Sequence, residues 1–201
     1  MPFRFAREPA ETQDRVFAEV RKHYTLLILA DGAGGMSNGA QAAEDLIQLL
    51  STAQLDIGQV RTPIFWPTVL CQMDQRIAGN GHGGETTAVV AVICDEQVYG
   101  ASVGDSAAWR IDEEEWYDLT AQQIRKPLIG SGKSQPMPFG PVPMRGTLML
   151  ASDGLTKYTK YEGILELVRA EGITSARELI DLARLPTGGL QDDTAVLLYK
   201  A

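Results

Sequence analysis

Hydrophobic residues along the chain fall into short runs of strand length and into two longer stretches with helical spacing. The run YTLLILA at residues 24–30 is almost wholly apolar, which is typical of a strand that is covered on both faces. In residues 40–55 the apolar side chains recur at helical spacing and predict an amphipathic helix. Residues 66–79 form a second predicted helix, with Pro67 tolerated in its first turn.

The remaining elements follow from apolar runs that are bounded by turn residues. Further strands are predicted at residues 15–21, 86–94, 97–104, 107–112, 147–152 and 193–200, and short helices near residues 162–171 and 174–184. Residues 127–146 contain five prolines and four glycines and are predicted to be irregular. Short links within residues 86–112 predict antiparallel hairpins. This order predicts one α+β domain over residues 1–201, with antiparallel sheets that carry helices on their outer faces.

The composition limits the classes of partner. The 201 residues carry a formal net charge of -8, and an acidic protein is a poor partner for a nucleic-acid backbone. An acidic protein that acts on phosphate needs bound cations to reverse the sign of the charge locally. No leader peptide and no membrane-spanning run are recognised, so a cytoplasmic location without a membrane partner is expected. Cys71 and Cys94 lie in apolar runs without a CxxC partner and are predicted to be buried thiols.

Aspartates stand at the ends of the predicted core strands. They are Asp14 before RVFAEV, Asp31 after LLILA, Asp105 after YGASVG, Asp153 after LMLAS, and Asp192 and Asp193 before TAVLLY. A single Asp-Gly after a strand is more typical of a turn than of a ligand. Several carboxylates that converge at a core edge, however, are costly to desolvate and repel one another. Mg²⁺ and Mn²⁺ prefer oxygen ligands and would relieve both costs, so the recurrence indicates a metal cluster.

Short motifs surround these aspartates and follow one another in a defined order. They are Gln13-Asp14, Asp31-Gly32-Ala33-Gly34-Gly35, Glu85-Thr86-Thr87, Val103-Gly104-Asp105-Ser106, Ser152-Asp153-Gly154-Leu155 and Asp192-Asp193-Thr194-Ala195-Val196. The series resembles that of the PPM family, the metal-dependent protein phosphatases of type 2C. Each motif is weak alone, but the ordered set, from about residue 12 to residue 199, is specific. The resemblance implies an αββα four-layer sandwich, with two central antiparallel β-sheets flanked by helices.

The resemblance also implies roles for the matched residues. Asp31 would bridge two metals, and the carbonyl group of Gly32 would bind one of them, directly or through water. Asp153 and Asp192 would hold the first metal. Asp14 would contact the cluster from the N-terminal strand.

Two further motifs complete the implied site. Asp105 matches the residue that binds a third, weaker metal in bacterial members of the family. Thr86 and Thr87 match a structural pair, for which packing and sheet hydrogen bonding are expected. The implied cofactors are therefore two Mg²⁺ or Mn²⁺ ions, with a weaker third site at Asp105.

The chain departs from the family's pattern at positions that concern charge and phosphate binding. Gln13 stands where the family often has glutamate, and Ala33 where some members have a histidine. The family's phosphate-gripping arginine usually lies a few residues before the first aspartate, where this chain has Pro9. Arg7, two residues earlier on the same extended segment, can face the same way and is the predicted replacement. Arg4 would point to the other face.

The resemblance implies hydrolysis of phosphoserine or phosphothreonine on a phosphorylated protein substrate. Two cations that share Asp31 would lower the pKa of a bridging water, and the hydroxide would attack phosphorus in line. The cations and an arginine would offset the charge on the equatorial oxygens. The alternative is a regulatory or binding module of the same fold with weak or no activity. Gln13, the displaced arginine and a flap reduced to about residues 120–143 favour that alternative, whereas the retained aspartates oppose it.

Overall fold

The strands of the chain form two antiparallel five-stranded sheets in a computed structural model that describes residues 1–9, 12–33, 38–53 and 55–200. In order across sheet A the strands are β1 (Phe3–Glu8), β10 (Thr194–Lys200), β9 (Thr147–Ala151), β6 (Ala107–Ile111) and β7 (Trp116–Asp118). In order across sheet B they are β2 (Arg15–Val20), β3 (Thr25–Ala30), β4 (Ala88–Cys94), β5 (Gln97–Val103) and β8 (Met137–Pro143). Residues 34 and 35 of the glycine-rich motif lie outside the described residues.

Helices cover the outer face of each sheet. Those beside sheet B are α1 (Gly39–Ser51), the short α2 (Ile57–Val60) and α3 (Phe65–Gly79). Those beside sheet A are α4 (Asp153–Thr156), α5 (Tyr161–Glu171) and α6 (Ala176–Leu182), with a 3-10 turn at Gly172–Ser175. The predicted fold class, a four-layer αββα sandwich, is therefore confirmed. No helix in the described ranges is both long enough and apolar enough to cross a membrane.

Alternate side chains of each central strand serve two different cores. In β3, Leu26 and Ile28 pack against α1 and α3, whereas Leu27 and Leu29 pack in the layer between the sheets. The strand β10 repeats this arrangement in sheet A. Because both faces are covered, neither face needs polar residues, which explains the continuous apolar run of β3. Burial of each such side chain stabilises the fold by about 1.5–3 kcal/mol.

The structure differs from the predicted elements in five places. The strand β1 and the short helix α4 were not predicted. The first helix ends at Ser51 rather than near residue 55, and α2 follows it. The short strand β7 was not predicted. The strand β8 lies within the segment predicted to be irregular, and Pro138, Pro141 and Pro143 belong to it. An edge strand of a sheet tolerates proline because one of its sides makes no ladder hydrogen bonds, and β8 is an edge strand of sheet B.

The two cysteines have different environments. Cys94 is buried at the end of β4, as predicted, whereas Cys71 is exposed on α3, so that prediction is wrong. The buried face of α3 includes Leu70, Met73 and Ile77. A step of one residue turns a helix by about 100°, so Cys71 points away from the face that Leu70 buries. An apolar run within a helix therefore did not identify the buried side.

The strand registers bring the predicted aspartates to one end of the sandwich. Strand ends paired or adjacent at this end include Arg15 with Ala30, Ala88 with Val103, and Ala151 with Val196. The aspartate motifs named in the sequence analysis lie within a few residues of these paired strand ends. Antiparallel neighbours alternate in direction, so the end of one strand lies beside the start of the next.

Candidate metal centre

A cleft of about 980 Å³ opens at this end of the sandwich and has acidic walls. Its lining includes five of the six aspartates that the sequence analysis named: Asp31, Asp105, Asp153, Asp192 and Asp193. The backbone of Gly32 also lines the cleft. Residues far apart in the sequence, from the ends of strands in both sheets, are thus gathered around one space.

Asp14 completes the acidic group from below the surface. Its side chain is fully buried, and neither carboxylate oxygen has a hydrogen-bond partner in the part of the chain that the structure describes. Burial raises the pKa of Asp14 to about 7, and the charges of Asp193 and Asp153 add to the rise. The Ser152 hydroxyl and Asp31, which are close but outside hydrogen-bond geometry, act in the opposite direction. Burying a carboxylate without a partner is costly, and a bound cation would offset that cost.

Asp31 carries the most strongly raised pKa of the group. Burial raises it to about 9, and the neighbouring charges of Asp14, Asp153 and Asp105 contribute as well. The glycine that follows is required by packing, since a Cβ on Gly32 would lie 2.6 Å from the carbonyl carbon of Gly39. The Asp-Gly pair therefore holds a carboxylate in the cleft wall while the chain passes against the start of α1.

Asp153 lies at the start of α4, directly after the buried end of β9. Its pKa is raised by burial and by the charges of Asp105 and Asp192. The ammonium group of Lys157, 3.8 Å from Asp153 Oδ2, opposes that rise. Because Lys157 is 59% exposed, water screens its charge, and it offsets little of the repulsion.

Asp192 and Asp193 hold the entry to β10 in place. The backbone N–H of Asp193 donates to Asp192 Oδ1 at 3.0 Å, and the N–H of Gln13 donates to Asp193 Oδ2 at 2.7 Å. A Cβ on Gly154 would lie 2.0 Å from the carbonyl oxygen of Asp193, so the glycine of the second Asp-Gly pair permits this close approach. The two acidic motifs of sheet A are therefore packed against each other.

The donor set suits a hard divalent cation. The oxygens of five lining aspartates and the orphaned carboxylate of Asp14 are the ligand type that Mg²⁺ and Mn²⁺ prefer. Across the described ranges, no three His, Cys, Asp or Glu side chains already converge as a ready-made metal site. Water molecules would therefore supply part of the coordination, as is usual for Mg²⁺.

Arg7 lies at the edge of the site rather than inside the cleft. It is exposed on β1, and its Nη1 donates to the backbone carbonyl oxygen of Asp14 at 3.3 Å. Arg7 pairs with Ala195, whose side chain packs between the sheets, whereas Arg4 pairs with Leu198, which packs on the helix side. The two arginines therefore face opposite sides of sheet A, as the sequence predicts.

Comparison with known proteins agrees with this architecture. No protein-family model matches the chain. The chain is 24% identical over 223 residues to the serine/threonine phosphatase stp of Listeria monocytogenes serotype 4b, which covers 90% of this chain and 86% of that protein. A crystal structure of a bacterial serine phosphatase superposes with a TM-score of 0.86 at 22% identity, over 99% of this chain and 97% of that one. The chain has the PPM phosphatase fold.

A second solved structure of the PPM fold contains metal. The catalytic domain of the serine/threonine protein phosphatase PstP, in complex with two manganese ions, has a TM-score of 0.77 and 22% identity. The alignment covers 98% of this chain and 96% of that one. The resemblance to PPM phosphatases that the motifs indicate is thus confirmed by similarity of fold and of sequence.

Two residues of this PPM-fold cleft were not identified from the sequence. Arg125 and Lys126 also line the cleft, and their positive charges are opposite in sign to those of the aspartates. They lie in residues 119–136, an irregular connection between β7 and β8, and both fall within the predicted reduced flap at about residues 120–143. Their position between the VGDS and SDG motifs placed them in the predicted flap, but it did not show which side chains of that segment would face the cleft.

Proposed function

We propose that this chain hydrolyses phosphoserine or phosphothreonine esters on a protein substrate, with two Mg²⁺ or Mn²⁺ ions bound in the aspartate cleft. The observation that carries the proposal is the buried carboxylate of Asp14, which lacks a partner among the described residues and lies beside Asp31 at the cleft wall. The PPM fold and the similarity to proteins named serine/threonine phosphatases supply the reaction class.

The cleft residues have distinct proposed roles. Asp31 would hold both ions, and the Gly32 carbonyl group would bind one of them, directly or through water. Asp153 and Asp192 would hold the first ion, with Asp14 beneath them. Asp105, which is exposed on the cleft wall, would hold a weaker third ion. When bound, such cations lower the pKa of coordinated water and offset negative charge on the phosphoryl oxygens.

The protein's own part is to keep these carboxylates in place and to release their protons. The hydroxyl of Thr86 donates to the carbonyl oxygen of Asp31 at 2.9 Å, and Thr86 forms β-bridges with both Gly32 and Ile129. The raised pKa values of Asp14 and Asp31 mean that cations must displace protons to bind, so affinity should fall at low pH. With water as the nucleophile, no phosphoenzyme forms.

Arg7 is the proposed partner of the phosphoryl group. Its guanidinium group is exposed beside Asp14, and a guanidinium binds phosphate oxygens in a bidentate manner better than an ammonium does. Gln13, which lines the cleft, leaves one fewer negative charge for the second ion. That absence is the feature that most favours the alternative, a binding module with weak or no activity.

A phosphatase assay with controlled metal content tests the proposal. Chelator-stripped protein should not hydrolyse a phosphothreonine peptide or para-nitrophenyl phosphate, and Mn²⁺ or Mg²⁺ should restore both activities. Asp31→Asn should abolish the restored activity, whereas the control variant Asp45→Asn, at a half-buried aspartate of α1 that does not line the cleft, should retain it. Full activity in protein shown to be metal-free would refute the metal mechanism. Metal binding without hydrolysis of either substrate would establish the binding-module alternative.

A further inference from the structure

Two basic side chains stand in the otherwise acidic cleft. Arg125 and Lys126 are the cations among the described residues that line it, and both are exposed. Within residues 1–9, 12–33, 38–53 and 55–200, neither side chain forms an ion pair or a hydrogen bond. Two adjacent exposed cations without a described partner are therefore available to a ligand.

The segment that carries these cations is attached on both sides of Asp105. The backbone N–H of Gly104 donates to the carbonyl oxygen of Ile124 at 2.9 Å. The Nε2 of Gln123 donates to the carbonyl oxygen of Ser106 at 2.8 Å. The chain that leads into Arg125 is therefore held against the cleft wall rather than left free in solvent.

A buried carboxylate holds the other end of the same segment. Asp74, 1% exposed on α3, accepts from the N–H groups of Gly130, Gly132 and Ser134 at 2.7, 2.9 and 2.8 Å. Backbone hydrogen bonds between Ile129 and Thr86 join the segment to the frame of Asp31. Arg125 and Lys126 thus occupy a short stretch between two fixed points, which reduces the entropy lost when they bind a ligand.

We infer that Arg125 and Lys126 form a basic arm that binds acidic residues flanking the phosphorylated residue, so that the preferred substrates are phosphopeptides with acidic flanks. The inference rests on the proposed function. The fully buried Asp14 and the half-buried Asp31 form the floor where the phosphoryl group would be bound, whereas the arm is exposed at the rim. Rim charges select a partner by charge complementarity and raise the encounter rate.

Because the whole chain is acidic, the attraction of an acidic peptide depends on this basic arm. With a formal net charge of -8, the protein repels an acidic peptide at long range, and the aspartates of the cleft add to the repulsion until cations bind. Among the described residues that line the cleft, Arg125 and Lys126 are the ones that attract an acidic peptide and so oppose this repulsion locally. Selection by exposed charges also weakens as salt is added, since the Debye length falls to about 8 Å at physiological ionic strength.

Charge reversal of the arm provides the test. Phosphothreonine peptides of equal length with acidic, neutral and basic flanks would be assayed with Mn²⁺ for the wild-type chain and for Arg125→Glu/Lys126→Glu. The matched control is Lys22→Glu/Lys133→Glu, which changes the net charge equally at exposed sites that do not line the cleft. The conservative pair Arg125→Lys/Lys126→Arg tests rescue by charge alone.

The ratio of kcat/KM for the acidic peptide to that for the neutral peptide should fall by about tenfold in the arm variant, and by less than about twofold in the control. The conservative pair should keep the wild-type ratio, and added salt should reduce that ratio only while the arm is basic. An unchanged ratio in the arm variant would overturn the inference. An equal rise of KM for all peptides and for para-nitrophenyl phosphate would overturn it too, because the arm would then bind the phosphoryl group itself.

Direct binding separates this inference from the proposed function. If the wild-type chain with Mn²⁺ hydrolyses none of these substrates, the proposed function fails. Fluorescence anisotropy with the same labelled phosphopeptides then decides about the arm. Tighter binding of the acidic peptide that is lost in the arm variant and kept in the control would support the arm, and equal binding of acidic and neutral peptides would refute it.

Discussion

Thr87 and Asp31 are joined by two reciprocal hydrogen bonds. The N–H of Thr87 donates to the carbonyl oxygen of Asp31 at 2.8 Å, and the N–H of Asp31 donates to the Thr87 hydroxyl at 3.0 Å. The same hydroxyl lies 2.7 Å from the hydroxyl of Ser106, next to Asp105. One buried threonine therefore sets the spacing between the backbones that carry two of the proposed metal ligands.

Removal of that hydroxyl should loosen the site. Thr87→Val keeps the shape of the side chain but leaves the N–H of Asp31 without its acceptor, which costs about 1–3 kcal/mol in a buried position. The melting temperature should fall by roughly 2–10 °C and kcat by about tenfold or more, because misplaced catalytic groups lose rate. Thr87→Ser, which retains the hydroxyl, should stay close to wild type in both measurements. Equal effects of the two variants would mean that the methyl group, rather than the hydroxyl, matters.

Bound cations should stabilise the folded chain. Clustered carboxylates repel one another in the metal-free protein, and a ligand at 100 times its dissociation constant stabilises the native state by about 2.7 kcal/mol. Differential scanning fluorimetry should therefore show a rise of roughly 5–10 °C with saturating Mn²⁺. Asp31→Asn should lose most of that rise, whereas Asp45→Asn should keep it. A wild-type melting curve that millimolar Mn²⁺ leaves unmoved would contradict the site.

The metal-free chain should become less stable as the pH rises. The pKa values of Asp14 and Asp31 are raised from 3.8 to about 7 and about 9, mainly by burial, so the folded state binds more protons than the unfolded state between about pH 4 and pH 9. The free energy of unfolding then falls with increasing pH in that range. Asp31→Asn, which cannot ionise, escapes part of this loss.

Paired melting curves in chelator measure that effect. Near pH 4 the wild type and Asp31→Asn should differ little, and by pH 8 the variant should be more stable by about 2 kcal/mol, or roughly 4–8 °C. Saturating Mn²⁺ should reverse the order at pH 8, because only the wild type gains the full binding energy. A difference that does not vary with pH would show that Asp31 is not protonated in the metal-free fold.

Arg7→Ala should separate phosphate binding from metal binding. If the guanidinium holds the phosphoryl group, KM for a phosphopeptide should rise several-fold, while the Mn²⁺ affinity measured by calorimetry stays the same. Arg4→Ala is the matched control, since Arg4 is also exposed on β1 but faces the helix side of sheet A. Unchanged kcat and KM in Arg7→Ala would leave the cations, or another basic group, to hold the phosphate.

Prediction from the sequence succeeded where a local pattern is sufficient and failed where a neighbour decides. The run at Thr25–Ala30 was predicted to be covered on both faces because no alternation is visible in it, and both of its faces are buried. The strand β8 was missed because prolines argue against a strand unless it lies at an edge, and the sequence does not show which strand is outermost. Cys71 was wrongly predicted to be buried because an apolar run does not reveal which side of the helix faces the core.

The sequence by itself determined the type and order of the motifs, and with them the fold and the candidate ligands. Asp14, Asp31 and Asp153 could be named because a carboxylate at the end of a buried strand has a cost that is visible in the residues alone. Only the tertiary structure decided that these carboxylates share one cleft, that Asp14 is fully buried, and that Arg125 and Lys126 face the same space. The pairing register of the strands and the hydrogen bonds that anchor the loops determine where these side chains lie. Both depend on contacts between residues far apart in the chain, which no local pattern encodes.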